Sequence, residues 1–186
     1  MSRLARLSVI AALAIALIVA AGCGGDDVDP DTARLRAADQ ALVKEPRDQF
    51  AMADVIRAAA AGAGNRVDPG TGSYKPEARP FLNRAAAVWP RYLAVTRDRP
   101  DATIASLMVG VFTNGLKRPR DAARAAEFVA LDRPSAASYL SLTQLAASAG
   151  DRRKAELAAQ KALELAEPGE RTRVRQAIRL FLQGAG

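Results

Sequence analysis

From residue 31 onward, apolar residues recur at helical spacing, and periodic β-branched runs are scarce. Leu35, Ala38, Leu42 and Val43 mark the apolar side of a first helix ending near Lys44, which Asp31 or Thr32 is placed to cap. Pro46 suits the opening turn of a second helix, whose buried side is Phe50, Ala53, Val55, Ile56 and the alanines after Arg57. A third segment, roughly Glu77 to Arg97, spaces Phe81, Ala85, Val88, Trp89, Tyr92 and Val95 helically. Pro90 removes a backbone hydrogen bond there and predicts a kink between Ala86 and Trp89. Asp101 to Asn114 turns Ile104, Leu107, Met108, Val111 and Phe112 inward and closes at Gly115 in a C-terminal cap position. Pro119 opens an alanine-rich partner helix, and Ser135 starts the next, with Tyr139, Leu142, Leu145 and Ala146 inward. Gly150-Asp151 turns the chain into a helix that packs through Ala155, Ala158, Ala159, Ala162 and Leu163. A last helix, Gly169 to Gln183, gathers Val174, Ala177, Ile178 and Phe181 on one face. The pattern predicts an all-α fold.

A longer period lies over the short one. Pro100, Pro134 and Pro168 fall 34 residues apart, and the first two close the same tripeptide, Asp98-Arg99-Pro100 and Asp132-Arg133-Pro134. Ala94, Phe128 and Ala162 stand in register before them, as do Val95, Val129 and Leu163. A fixed period of this length filled by two helices marks a solenoid whose units share one core.

Gly150-Asp151, Ala155 and the run Gln160-Lys161-Ala162-Leu163-Glu164-Leu165 resemble the second half of a tetratricopeptide repeat. The match is specific over Tyr139 to Leu165, weaker over Ile104 to Pro134, and faint over Phe50 to Pro100. The middle unit departs from the pattern, Gly115 to Pro119 replacing a tight Gly-Asp, and Pro168 falls one residue late. The resemblance implies a right-handed α-α superhelix of about three helix pairs, with an N-terminal helix before them and a C-terminal capping helix. It also implies a protein- or peptide-binding scaffold with a concave groove lined by the first helix of each pair. Ala105, Val109, Phe112 and Thr113 are the groove candidates in one unit, and Leu140, Gln144, Ala147 and Ser148 in the next. The Lys/Asn/Arg clamp that some members use for a terminal carboxylate is missing at these positions, so an apolar helix or extended segment suits the groove better.

The N-terminus has a different character. Arg3 and Arg6 precede an unbroken apolar stretch, Val9 to Ala21, whose 13 residues suit a signal peptide and fall short of the roughly 18 needed to span a bilayer. Ala20-Ala21-Gly22-Cys23 follows and resembles a bacterial lipobox, with Ala20 where leucine is more usual. The resemblance implies cleavage after residue 22, lipid on the Cys23 thiol, and an acylated N-terminus. Residues 1–22 are then a signal peptide, 23–30 a Gly/Asp-rich tether, and 31–186 the helical domain, held on the extracytoplasmic side of a bacterial cell membrane or outer membrane. The bland alternative is an incidental thiol after an ordinary signal peptide. Anchoring by two or more acyl chains is stable, at about 0.8 kcal/mol for each buried CH₂.

Composition then removes chemistry. There is no histidine and only one cysteine, which excludes Ser-His-Asp and Cys-His nucleophiles, intramolecular disulfides and most zinc sites. No paired carboxylates can be picked out, no Walker-type glycine loop is present, and no metal or cofactor is expected. The chain reads as a non-enzyme. The formal net charge of +7 falls to +5 without Arg3 and Arg6, a modest excess that favours anionic headgroups or an acidic partner. Nucleic acid is not expected, since no basic surface interleaved with aromatics appears. Arg171, Arg175 and Arg179 form a ladder at four-residue spacing. It reads as the solvated face of the cap or as a contact for phosphate headgroups or an acidic protein. Gly62 to Lys75 is turn-rich and reads as an insertion between two helices or as a projecting binding loop. Trp89, the single tryptophan, reads as core. Two functions remain: an envelope scaffold that binds another protein or peptide, or a basic protein that engages anionic lipid or cell-wall polymer.

Overall fold

A computed structural model describes residues 28–184. Among them are eight α-helices: α1 (Pro30–Lys44), α2 (Gln49–Gly64), α3 (Arg79–Val95), α4 (Ala102–Gly110), α5 (Pro119–Asp132), α6 (Ala136–Ser148), α7 (Arg152–Leu165) and α8 (Arg171–Gln183). A 3₁₀ turn, Pro76–Ala78, leads into α3, and a π-turn, Val111–Gly115, prolongs α4. No strand occurs among the described residues beyond one isolated bridge, Val67 to Tyr74. The fold is all-α.

The helices start where side chains satisfy their first free N–H groups. Asp48 accepts from Phe50 N at 2.9 Å, Asp101 from Thr103 N at 2.8 Å and Ile104 N at 3.2 Å, and Asp151 from Lys154 N at 3.0 Å. Ser135 and Ser138 cap each other's backbone at the head of α6. At α1 the cap is Asp29, which accepts from Thr32 N at 3.1 Å and Thr32 Oγ1 at 2.8 Å. Asp31, one of the two expected caps, lies inside the helix and is buried. α3 continues through Pro90 to Val95 as one helix.

α1, α2 and α3 pack in sequence, α4 packs on α5, α5 on α6, α6 on α7, and α8 closes against both α6 and α7. The helices α4, α6 and α8 begin at Ala102, Ala136 and Arg171, intervals of 34 and 35 residues. One core runs from Leu42 to Ala158, with Met52, Ile56, Val88, Ile104 and Met108 fully enclosed. Alanines at Ala122, Ala125, Ala126, Ala130, Ala146 and Ala155 let the later helices approach closely. Trp89 is buried against Tyr92, with ring centroids 5.9 Å apart, and meets Phe128 edge-on at 6.2 Å. A smaller cluster, Ala159, Ala162, Ala166, Val174 and Ile178, seats α8. Phe50 and Val43, expected on buried sides, instead face solvent at the α1–α2 turn. Met52, two residues on and so nearly on the opposite face of α2, takes the inward place.

The segment after α2 is held at several points. Asp68 N donates to Ser73 O and Lys75 N to Arg66 O, each at 2.8 Å. Asp68 Oδ1 accepts from Gly70 N and Thr71 N, each at 2.9 Å. These bonds lower the Asp68 pKa, that from Thr71 N most of all.

Candidate functional site

A mainly apolar cleft lies between α5, α6 and α7, with a volume of about 440 Å³. Tyr139, Leu142 and Ala158 form its inner surface, and all three are at least half-buried by neighbouring helices. Leu131 from α5 and Leu157 from α7 wall it, though they are 67% and 58% exposed. Two large aliphatic side chains held in water beside an apolar floor form a patch that burial would stabilise, by roughly 25 cal/mol per Å² covered.

Charged residues rim this cleft: Glu127, Asp151, Arg153, Lys154 and Lys161. Lys154 Nζ donates to Glu127 Oε2 at 2.7 Å, tying α7 to α5 across one end. Lys161 Nζ donates to Glu164 Oε2 at 2.7 Å, and that hydrogen bond, with the Glu164 charge, raises the lysine pKa. Asp151 is occupied as the α7 cap. Arg153 forms no ion pair among the described residues, which leaves the rim a free cation.

The residues expected from the repeat resemblance to line a groove do not line this one. Phe112 is only 2% exposed, because the π-turn that carries it packs on α3 and α5. That corrects its reading as a groove residue: it is core. Ala105 and Ala147 are core for the same reason, each covered by a neighbouring helix. Val109 and Thr113 are half-buried, and the Thr113 hydroxyl oxygen is enclosed without a hydrogen-bond partner. Leu140 is half-buried against the cluster beneath α8, while Gln144 and Ser148 face solvent. Arg171, Arg175 and Arg179 are all exposed, and none forms an ion pair among the described residues. Arg171 Nε donates to Ala166 O at 3.3 Å, and Arg171 and Arg175 border a shallow cleft with Gln160, Leu163 and Glu164. Cys23 and the signal-peptide stretch lie outside the described residues.

Leu131 and Leu157 escape a sequence reading that follows the alanine stripes of α5 and α7 to the core. The available signal was a leucine on the charged side of each helix, next to Asp132 and next to Glu156.

No protein-family profile, no curated protein and no solved structure matches the chain. No helix among the described residues is long and apolar enough to cross a membrane, and no group of potential metal ligands gathers there.

Proposed function

We propose that the chain is a lipid-anchored, extracytoplasmic helical-repeat scaffold of the tetratricopeptide-like kind, which binds another envelope protein or a segment of one. The observation that carries this reading is the α5–α7 cleft, with Leu131 and Leu157 exposed on either side of an apolar floor. Helix starts at Ala102, Ala136 and Arg171 support the repeat, since a regular interval stacks equivalent faces side by side. The lipid anchor rests on the sequence around Cys23. A rim that pairs fixed carboxylates with a free Arg153 favours an amphipathic segment: apolar residues against the leucines and a carboxylate near the arginine.

The experiment is site-specific photocrosslinking in intact cells, with the reactive group at Leu157 and, as a control, at the exposed Gln144. A partner that crosslinks at 157, not at 144, and that Leu131→Asp abolishes, supports the groove. A partner captured equally at both positions, or unaffected by Leu131→Asp, removes it. Mass spectrometry of the mature N-terminus tests the anchor: an acylated Cys23 at the terminus supports it, and an unmodified thiol overturns it.

A second reading, attachment to anionic lipid or cell-wall polymer, is favoured by the exposed arginines of α8. It expects salt-sensitive binding to anionic vesicles that Arg171, Arg175 and Arg179 changed together to Gln abolish.

A further inference from the structure

A second cleft, of about 380 Å³, opens where the segment after α2 meets the π-turn. It is lined by Tyr74, Lys75, Pro76, Arg79 and Leu82 on one side and by Gly115, Leu116 and Lys117 on the other. Three of these residues are cations and none is a carboxylate. Several cations elsewhere in the fold are paired with a carboxylate, Arg57 with Asp54, Arg66 with Asp31, Arg84 with Asp39, Arg124 with Asp98, and Lys154 with Glu127. Lys75, Arg79 and Lys117 have none within ion-pair distance among the described residues. The charge of Asp68 interacts with Lys75, but its Oδ1 is already taken by Gly70 N, Thr71 N and the Thr71 hydroxyl, and Glu77, in the 3₁₀ turn between Lys75 and Arg79, does not line the cleft.

The backbone holds these cations together. Lys75 N is bonded to Arg66 O, and the Val67–Tyr74 bridge closes the loop behind it. Arg79 is the first residue of α3, and its backbone N–H is bonded to Pro76 O in the 3₁₀ turn that precedes the helix. Gly115 presses on Leu82 so closely that a Cβ would stand 2.6 Å from Cδ2, which brings the π-turn against α3. Lys117 adopts a left-handed φ of 54°, a conformation that lysine rarely takes and that glycine would take freely. A π-turn and a left-handed lysine side by side are deviations that recur at ligand sites.

We propose that this cleft binds a phosphate-bearing anion, a phosphomonoester or a phospholipid headgroup, through Lys75, Arg79 and Lys117. The phosphate sits among the three cations. Tyr74, Pro76 and Leu116 meet the less polar part of the ligand. The volume fits a small phosphorylated molecule. The site is independent of the α5–α7 groove.

The test uses the full chain in nonionic detergent at fixed ionic strength, titrated with inorganic phosphate, with glycerol 3-phosphate, and with micelles carrying phosphatidic acid against phosphatidylcholine alone. Binding is read from the shift in thermal unfolding, since a ligand of the folded state stabilises it. Saturable stabilisation is expected in at least one phosphate arm, weakened about tenfold by each of Lys75→Gln, Arg79→Gln and Lys117→Asn. Lys117→Arg retains it, and Arg175→Gln, which removes a cation elsewhere, leaves it unchanged. A response to the micelles alone assigns a lipid headgroup, and a response to the soluble arms assigns a free phosphate compound. Saturable stabilisation in no arm, or stabilisation that the three substitutions leave within about twofold of the parent, overturns the proposal. So does an equal loss in Arg175→Gln. Asn tolerates left-handed backbone, so Lys117→Asn separates loss of charge from loss of fold.

Discussion

Arg66 Nη1 lies 3.0 Å from Oδ2 of Asp31, a residue 35 positions earlier, and so joins the end of α2 to the head of α1. Asn65 Nδ2 reaches both oxygens of the same carboxylate at 3.0 Å. Arg66 also donates to Gly62 O at 2.6 Å and to the Asp29 carboxylate, and its guanidinium sits 4.3 Å from the centroid of the Phe81 ring. One side chain thereby ties α1, α2 and α3.

Removing that side chain leaves a buried carboxylate with Asn65 and, at 3.8 Å, the largely exposed Arg34 guanidinium as its partners. Arg66→Ala is expected to destabilise the fold by about 3 kcal/mol, the range for breaking one side of a buried pair. Asp31→Asn added to Arg66→Ala removes the stranded charge and is expected to recover part of the loss. Urea unfolding of the two variants checks this. A single variant within about 0.5 kcal/mol of the parent would show that the node is solvent-screened.

Two glycines of the π-turn region oppose each other in effect. A Cβ at Gly110 meets nothing within 4 Å, whereas one at Gly115 would strike Leu82 Cδ2 at 2.6 Å and Cδ1 at 2.9 Å. Leu82 is buried, so it has little room to yield. Gly110→Ala is therefore expected to stabilise by up to about 1 kcal/mol through helix propensity. Gly115→Ala is expected to destabilise by about 1–3 kcal/mol through overpacking. Thermal unfolding of both variants measures the difference, and equal effects would refute the close approach.

Gly115 also shows how much of the fold was legible in the sequence and where it stopped being so. Its position after Phe112 reads as a left-handed helix cap, but the chain turns at Lys117 and uses Gly115 for proximity. Periodicity placed the helices and the inward faces of Ile104, Met108 and Leu142 well, since burial of an apolar stripe is what creates the pattern. It also turned Phe112 inward, where the structure has it, whereas the repeat resemblance placed the same residue in a groove. It could not place Leu157, whose exposure depends on which neighbouring helix covers a face, and helical spacing within one segment carries no record of that. The Asp31–Arg66 tie was equally invisible, because charge pairing across 35 residues leaves no local period.

Lys117 makes a stability cost visible. A left-handed non-glycine residue is strained by about 1–2 kcal/mol, and Lys117→Gly is expected to return roughly 1 kcal/mol after glycine's greater unfolded-state entropy is subtracted. The same change removes a cation from the cleft beside Tyr74. Greater thermal stability together with weaker phosphate binding is the expected pair of results. A substitution that destabilises would mean the lysine side chain holds the turn.

Acid should weaken the head of α4 in a defined direction. Burial tends to raise the Asp101 pKa, but hydrogen bonds from Ile104 N and Thr103 N outweigh it, with help from the Thr103 hydroxyl and the Arg133 charge, and the folded value lies below the ordinary 3.8. In the unfolded chain the group returns to that ordinary value, so between the two the unfolded state binds more protons. The cap's contribution is therefore complete above about pH 4 and is lost as pH falls through the folded pKa. Asp29, lowered by its bonds to Thr32 and the Arg66 charge, adds to the same slope at α1. Asp101→Asn keeps a competent cap without a titrating group. It is expected to leave stability at pH 7 within about 1 kcal/mol and to flatten the acid limb below about pH 4. Denaturant unfolding across that range reads the slope, and an acid limb unchanged by the substitution would show that other carboxylates govern it.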